Sequence, residues 1–265
     1  MMVLITGAVG GLGRAMSVEC ARRGYDLFLT DLCEAELERL RNGIQRQYDV
    51  TVVTKTCDLT DEADVSELFS YVDEQQIGFD MLLNIAGIDF EGEFMERECK
   101  NIIDIVQLNV EATLRITYEA LARRIPDNKF SIVFVSSLAS LYPMPLKATY
   151  AASKRFLLDF SIALNEELKD KNATVLSLCP GGLPTTQEAM MGIAAQGFWG
   201  NVTTNKLEEV ARKTISKALA GRSVFIPGRL NSTLSILGKF IPRALVVKLL
   251  YHRWHGAQSK WLKVD

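Results

Sequence analysis

Seven short, almost continuously apolar segments recur along the chain, at Met2–Thr6, Asp26–Asp31, Thr51–Cys57, Met81–Asn84, Ser131–Ser136, Thr174–Leu178 and Ser223–Ile226. A strand that is apolar at nearly every position has no face to offer water, so it must be covered on both sides. The segments between supply the cover. Amphipathic runs at Leu12–Arg23, Glu34–Gln47, Asp61–Gln76, Cys99–Arg123, Thr149–Asp170 and Lys206–Ala220 read as helices. This alternation predicts an α/β chain: a single-domain, Rossmann-like, doubly wound, seven-stranded parallel sheet with helices on both faces. No linker rich in Pro, Gly or Ser and no repeat of fixed period interrupts it, so residues 1–228 form one domain and 229–265 an extension. In such a sheet ligands sit beyond the carboxyl ends of the strands, and the stretch 181–204 after the sixth strand is placed to become a lid there.

The first strand runs into Thr6-Gly7-Ala8-Val9-Gly10-Gly11-Leu12-Gly13 and then a helix. Free N–H groups and the helix dipole favour a phosphate at such a helix start, and glycines let a pyrophosphate approach the backbone without meeting a Cβ. Gly7, Gly11, Leu12 and Gly13 are therefore candidate dinucleotide-binding residues. The second strand ends in Asp31, about twenty residues past the glycines, where a carboxylate can accept both hydroxyls of an adenosine ribose. That carboxylate also repels a 2′-phosphate, and Leu32 and Gly10 stand where a basic residue would have met one. These features favour NAD, with NADP as the alternative because Arg14 lies nearby. Asp31 has a second possible use, capping the helix that begins near Glu34.

Tyr150-Ala151-Ala152-Ser153-Lys154 opens a long helix. Residues four apart share a helix face, so the phenol and the ammonium can project into one site. The expectation is that Lys154 lowers the Tyr150 pKa and suits it to exchange a proton with a carbonyl or alcohol. Ser137, thirteen residues upstream at a strand end, can hold the same substrate oxygen. A sensor of dinucleotides on the same fold is the rival reading, but it has no need of this set of three side chains.

Together these residues resemble the short-chain dehydrogenase/reductase family over roughly Met2 to Ile226. The resemblance implies an oxidoreductase acting on CH-OH groups, interconverting a secondary alcohol and a ketone by hydride transfer. It also implies that Asp58 and Leu59 contact adenine. Asn84-Ile85-Ala86-Gly87 matches the family's Asn-Asn-Ala-Gly, with Ile85 in place of the second Asn, and makes Asn84, Ala86 and Gly87 cofactor-side residues. Asn109 matches a catalytic asparagine that steadies a water leading to the lysine. Ser137, Tyr150 and Lys154 match the catalytic serine, tyrosine and lysine, with Tyr150 and Lys154 also touching the cofactor. Pro180, Gly181 and Thr185 match a segment at the nicotinamide end. No metal is implied, and the two histidines, His252 and His255, have no carboxylate or cysteine nearby in sequence. Family membership implies a homo-dimer or homo-tetramer.

The net charge of −2 gives no reason to expect nucleic acid, but the charge is unevenly placed. From Arg229 onward there are seven Lys/Arg against one acid. Leu230, Leu234, Leu237 and Ile241 recur at helical spacing, and after Pro242 comes the apolar run Ala244–Leu250. Neither run is long enough to span a bilayer. Three readings stay open: packing on the substrate site or a sister subunit, a helix on an anionic membrane surface, or contact with an acidic partner. The first two suit a hydrophobic substrate of lipid, acyl or steroid type. Five unpaired-looking cysteines and the lack of a basic, signal-like start fit a cytoplasmic setting, with membrane association open.

Overall fold

A computed structural model describes residues 1–185, 190, 191, 194, 203–237 and 241–261. Most of the expected lid, at 186–189, 192–193 and 195–202, lies outside the described residues. So do Lys239, Lys263 and the side chains of Leu234, Leu237, Arg253, His255 and Lys260.

The strands are β1 (Met2–Thr6), β2 (Asp26–Asp31), β3 (Val52–Thr56), β4 (Met81–Asn84), β5 (Phe130–Val135), β6 (Ala173–Leu178) and β7 (Val224–Phe225). All are parallel, in the order β3-β2-β1-β4-β5-β6-β7. Successive side chains of a strand point to opposite faces. Val3 and Ile5 accordingly enter one core with Met16 and Ile215, while Leu4 between them enters the other with Leu68, Phe79 and Ile116. Both faces are thus dry, which is why the strands read as apolar runs without polar alternation.

The helices are α1 (Gly11–Arg22), α2 (Glu34–Gln45), α3 (Glu62–Glu74), α4 (Cys99–Val106), α5 (Thr113–Ala122), α6 (Ala148–Glu167), α7 (Leu207–Leu219), α8 (Arg229–Leu237) and α9 (Arg243–Trp261). The single helix expected over Cys99–Arg123 is broken: a π-helical segment, Gln107–Ala112, separates α4 from α5. The wider turn has a local cause. The Asn109 side chain leaves the helix to bind the Ile88 backbone at both ends, accepting from its N–H and donating to its carbonyl, each at 2.9 Å. Such segments are frequent at functional sites.

Strand order reverses between β1 and β4, whose helices cross to opposite faces, so a crevice opens beyond their carboxyl ends. Thr6 closes its floor by accepting the N–H groups of Ile85 and Ala86 at 3.1 and 3.3 Å. Among the described residues, no helix is long and apolar enough to cross a membrane.

Leu4 is fully buried in the middle of the sheet. Leu4→Ala should cost about 2–5 kcal/mol of stability. A lowered urea midpoint with an unchanged slope is the expected record, and an unshifted midpoint would contradict the two-sided core.

Candidate active site

The turn between β1 and α1 shows why its glycines are there. Gly7 has φ +63°, and a Cβ on it would stand 2.8 Å from the Ala86 backbone. A Cβ on Gly13 would fall 2.0 Å from the Gly7 carbonyl oxygen, and one on Gly11 would fall 2.8 Å from Thr185 Cα. The turn therefore packs under the segment that follows β6. The start of α1 is left open. Its N-cap, Gly10, offers no side-chain acceptor and its first turn holds no acid, whereas α3 is capped by Asp61 through the N–H groups of Ala63 and Asp64. Unsatisfied N–H groups facing a cleft suit an anion.

Asp31 does not cap α2, whose N-cap is Cys33. Its carboxylate reaches back to the glycine turn, accepting from the Val9 N–H at 3.0 Å and from its neighbour Leu32 at 2.8 Å. Arg14, the residue that left NADP open, is committed elsewhere. Its Nε donates to the Val9 carbonyl at 2.6 Å, and its other arm is ion-paired with Glu36.

A cleft of about 1500 Å³ runs from this turn past Asp31, Asp58 and Leu59 to Ser137, Tyr150 and Lys154, and on to Pro180, Gly181 and Thr185. Leu12, Ala86 and Gly87 also line it. An uncapped helix start, a carboxylate at the end of β2 and a continuous cleft of this size fit an extended dinucleotide. Two expected site residues stand behind the wall instead. Asn84 is buried and donates to Thr117 at 2.9 Å, and Asn109 is fully buried. Asn109 is spent on holding the Ile88 backbone of the wall, and Asn84 ties the end of β4 to the Thr117 hydroxyl of α5. Asn109 still borders the site, because a Cβ on Gly87 would sit 2.9 Å from Asn109 Oδ1 and 3.0 Å from Lys154 Nζ. Gly87 is the gap through which the two approach.

Tyr150 lies deep in the cleft, hydrogen-bonded with Ser137. The expected lowering of its pKa by Lys154 is not found. Burial pushes the phenol up to about 12; Asp89 and Glu91 add to the rise, and Lys147 and the Ser137 bond oppose it. Lys154 lies as close as Lys147, each Nζ being 5.6 Å from the ring centroid. Its own charge is weakened, however: burial lowers the ammonium to about 8, although Asp89 pulls the other way. Its Nζ donates to the Val135 carbonyl at 2.9 Å.

Sequence reasoning missed the wall opposite Tyr150. Ile88 to Glu91, Arg97, Leu141, Tyr142, Met144 and Lys147 all contribute to it. Lys147 pairs with Asp89 at 2.6 Å and also with Glu91. These acids lie more than fifty residues from Lys147 in sequence, in loops with no periodic pattern, so no local signal joins them. The extension also reaches the cleft through Asn231, Ser235 and Leu250. Asn231 is buried and donates to the carbonyls of Pro227 and Thr203 at 2.9 and 3.1 Å.

A seven-stranded parallel sheet with this crevice at its reversal point defines a doubly wound, Rossmann-like α/β protein. Residues 1–193 match the family model described as short chain dehydrogenase. The chain belongs to that family of oxidoreductases. A "Very-long-chain 3-oxoacyl-CoA reductase" of Laccaria bicolor is 33% identical over 176 residues, covering 65% of this chain and 52% of that protein. The chain thus spans about half the length of the curated relatives it matches first. Among solved structures, a bulky-bulky ketone specific alcohol dehydrogenase from Comamonas testosteroni superposes with a TM-score of 0.74 at 25% identity, covering 92% of this chain and 95% of that one. A short-chain dehydrogenase from Sphingobium yanoikuyae, solved in complex with NADPH, gives 0.72 at 25% identity, covering 92% and 97%.

The depressed pKa of Lys154 has a consequence for stability. Between pH 8 and its usual 10.5, the unfolded chain still holds the Lys154 proton that the folded chain has released. The lysine's contribution to stability therefore improves as pH rises through that window, and below it the buried charge is a constant penalty. Lys154→Met removes the penalty. The variant should be more stable than the parent at pH 7, with the advantage shrinking by pH 10. Urea midpoints at the two pH values check this, and an equal gap at both would refute it.

Proposed function

We propose that the chain is an NAD(H)-dependent oxidoreductase that interconverts a hydrophobic ketone and its secondary alcohol. The observation that carries this reading is the Tyr150–Ser137 pair standing in the same cleft as the uncapped start of α1 and Asp31. When bound, the nicotinamide supplies or accepts the hydride at the carbinol carbon. The chain's own residues do the rest. Ser137 orients the substrate oxygen, and Tyr150 exchanges the proton with it. Held protonated by burial, Tyr150 is poised to donate, which suits reduction of a carbonyl. Lys154 would hold the nicotinamide ribose and, with Asn109 beside it, exchange protons between Tyr150 and solvent. Gly7, Gly11, Leu12 and Gly13 would hold the pyrophosphate, Asp58 and Leu59 the adenine, Ala86 and Gly87 the nucleotide's inner side, and Pro180, Gly181 and Thr185 the nicotinamide end.

NAD is favoured over NADP by two contacts. The Asp31 carboxylate lines the cleft beside the glycine turn, where it would accept ribose hydroxyls and repel a 2′-phosphate, and the Arg14 guanidinium is already paired with Glu36. The hydrophobic substrate is supported by Phe90, Leu138, Leu141, Tyr142 and Met144 along the cleft beyond Tyr150. The relatives named as 3-oxoacyl-CoA reductases and the bulky-ketone enzyme support an acyl or other bulky ketone.

Exposed Ile103, Val106, Tyr118, Phe156 and Ile162 on α4, α5 and α6 suit a homo-dimer or homo-tetramer. Exposed Ile241, Leu245 and Leu249, interspersed with Arg243 and Lys248, suit peripheral contact of a cytoplasmic protein with an anionic membrane.

Oxidation of a panel of hydrophobic secondary alcohols, and reduction of their ketones, tests the reading. Tyr150→Phe should lower kcat by about 10²–10⁴-fold while NADH still binds. If wild type and variant both bind NADH and neither turns over any member of the panel, the chain is a dinucleotide sensor. Tighter binding of NADPH than of NADH would overturn the choice of NAD.

A further inference from the structure

Among the described residues, four cations line the cleft: Arg97, Lys100, Lys147 and Lys154. Three are committed. Lys100 is paired with Asp104 at 2.7 Å, Lys147 with Asp89 and Glu91, and Lys154 donates to the Val135 carbonyl. Arg97 is half-buried, yet it makes no ion pair or side-chain hydrogen bond with any described residue. None of its nitrogens is both buried and unpartnered, so the guanidinium keeps access to the cleft and can take an anion without displacing a protein partner. The chain holds it in place. Arg97 lies against the backbone of Gly92, close enough that a Cβ there would fall 2.4 Å from its Nε and 2.5 Å from a terminal nitrogen. Gly92 has φ +140°, a conformation that side-chain-bearing residues rarely adopt. Its N–H donates to the Leu146 carbonyl at 2.8 Å, which ties the Arg97 loop to the residue before Lys147 and so to the wall facing Tyr150.

The surroundings narrow what can meet this group. The acids on the same wall, Asp89 and Glu91, are already compensated by Lys147. The adjoining lining is apolar, with Phe90, Tyr142 and Met144. The loop that carries Arg97 also turns Phe94 and Met95 out to solvent, at 61% and 89% exposure. A planar fork of donors in this setting matches a phosphate or carboxylate held in two hydrogen bonds, with an apolar chain beside it.

We propose that Arg97 is a specificity-determining residue that binds the anionic end of an amphiphilic substrate, while the apolar wall takes its chain. The inference rests on the reading of the cleft as a site for hydrophobic ketones and names the substrate class further. The anion is either a phosphate of a carrier thioester or a free carboxylate.

Equilibrium binding separates these sources and does not depend on turnover. Decanoyl-coenzyme A, decanoate and 1-decanol are titrated by calorimetry into the full chain, with saturating NADH keeping the nucleotide half of the cleft filled. At least one anion should bind about tenfold or more tightly than decanol, the range for a charge-assisted pair. Arg97→Gln should erase that preference, and Arg97→Lys should restore part of it. Preference for the thioester alone identifies a carrier phosphate; preference for decanoate as well identifies a carboxylate. The proposal is overturned if wild type shows no preference for an anion, if Arg97→Gln keeps the preference, or if none of the three ligands binds. Failure of hydride transfer in the alcohol panel, with the Arg97-dependent preference intact, would sink the proposed reaction and leave the anion site standing.

Discussion

Because every strand is parallel, all seven carboxyl ends open on one edge of the sheet, and every group that can do chemistry must be delivered there. A parallel sheet needs a crossover for each strand, and the crossovers bury both faces. Between the outgoing paths of β1 and β4 a crevice stays exposed and concave. Its floor is pinned by a single side chain, Thr6, which binds two backbone N–H groups of the neighbouring strand end. Its roof descends from β6, where the Thr185 backbone rests on Gly11 so closely that no side chain fits between them. The glycines of the turn answer first to these close approaches. Room for a phosphate is a result of the same geometry.

Charge in the cleft is governed by burial more than by pairing. Two lysines lie equally near the Tyr150 ring, yet the phenol is held well above its usual range, because desolvation of the phenolate outweighs the attraction of Lys147 and the Ser137 bond. Lys154 suffers the same desolvation in the opposite sense, and its ammonium is lowered to about 8. Lys147 resists it because two carboxylates stand against it, and its ammonium is held above the usual lysine range. The protein thus keeps one firm cation and one weak one beside the same hydroxyl. A phenol held protonated thus stands next to a lysine whose pKa is lowered to about 8.

The nucleotide end shows side chains serving two purposes. Asp31 ties the second strand to the glycine turn through Val9, and the same carboxylate faces the cleft. Glu36 neutralises Arg14, whose other contact, with the Val9 carbonyl, steadies the same residue from the opposite side. Val9, apolar and unremarkable in sequence, is therefore the junction at which the carboxylate and the guanidinium meet the turn.

Residue order alone determined the layered α/β architecture, since unbroken apolar strands alternating with amphipathic helices have few other ways to bury their surface. It also determined the turn at Gly7–Gly13 and the Ser137, Tyr150 and Lys154 set, because these patterns are local and each spacing has a direct geometric meaning. Tertiary structure decided the rest. It placed Asn84 and Asn109 behind the wall, broke the long helix at Asn109, and brought Asp89 and Glu91 to Lys147 across a gap that no periodicity spans. It also reversed the expected direction of the Tyr150 shift. The physical reason is common to all of these: hydrogen bonding and desolvation depend on which groups exclude water from one another, and that is set only when distant loops close over the same cleft.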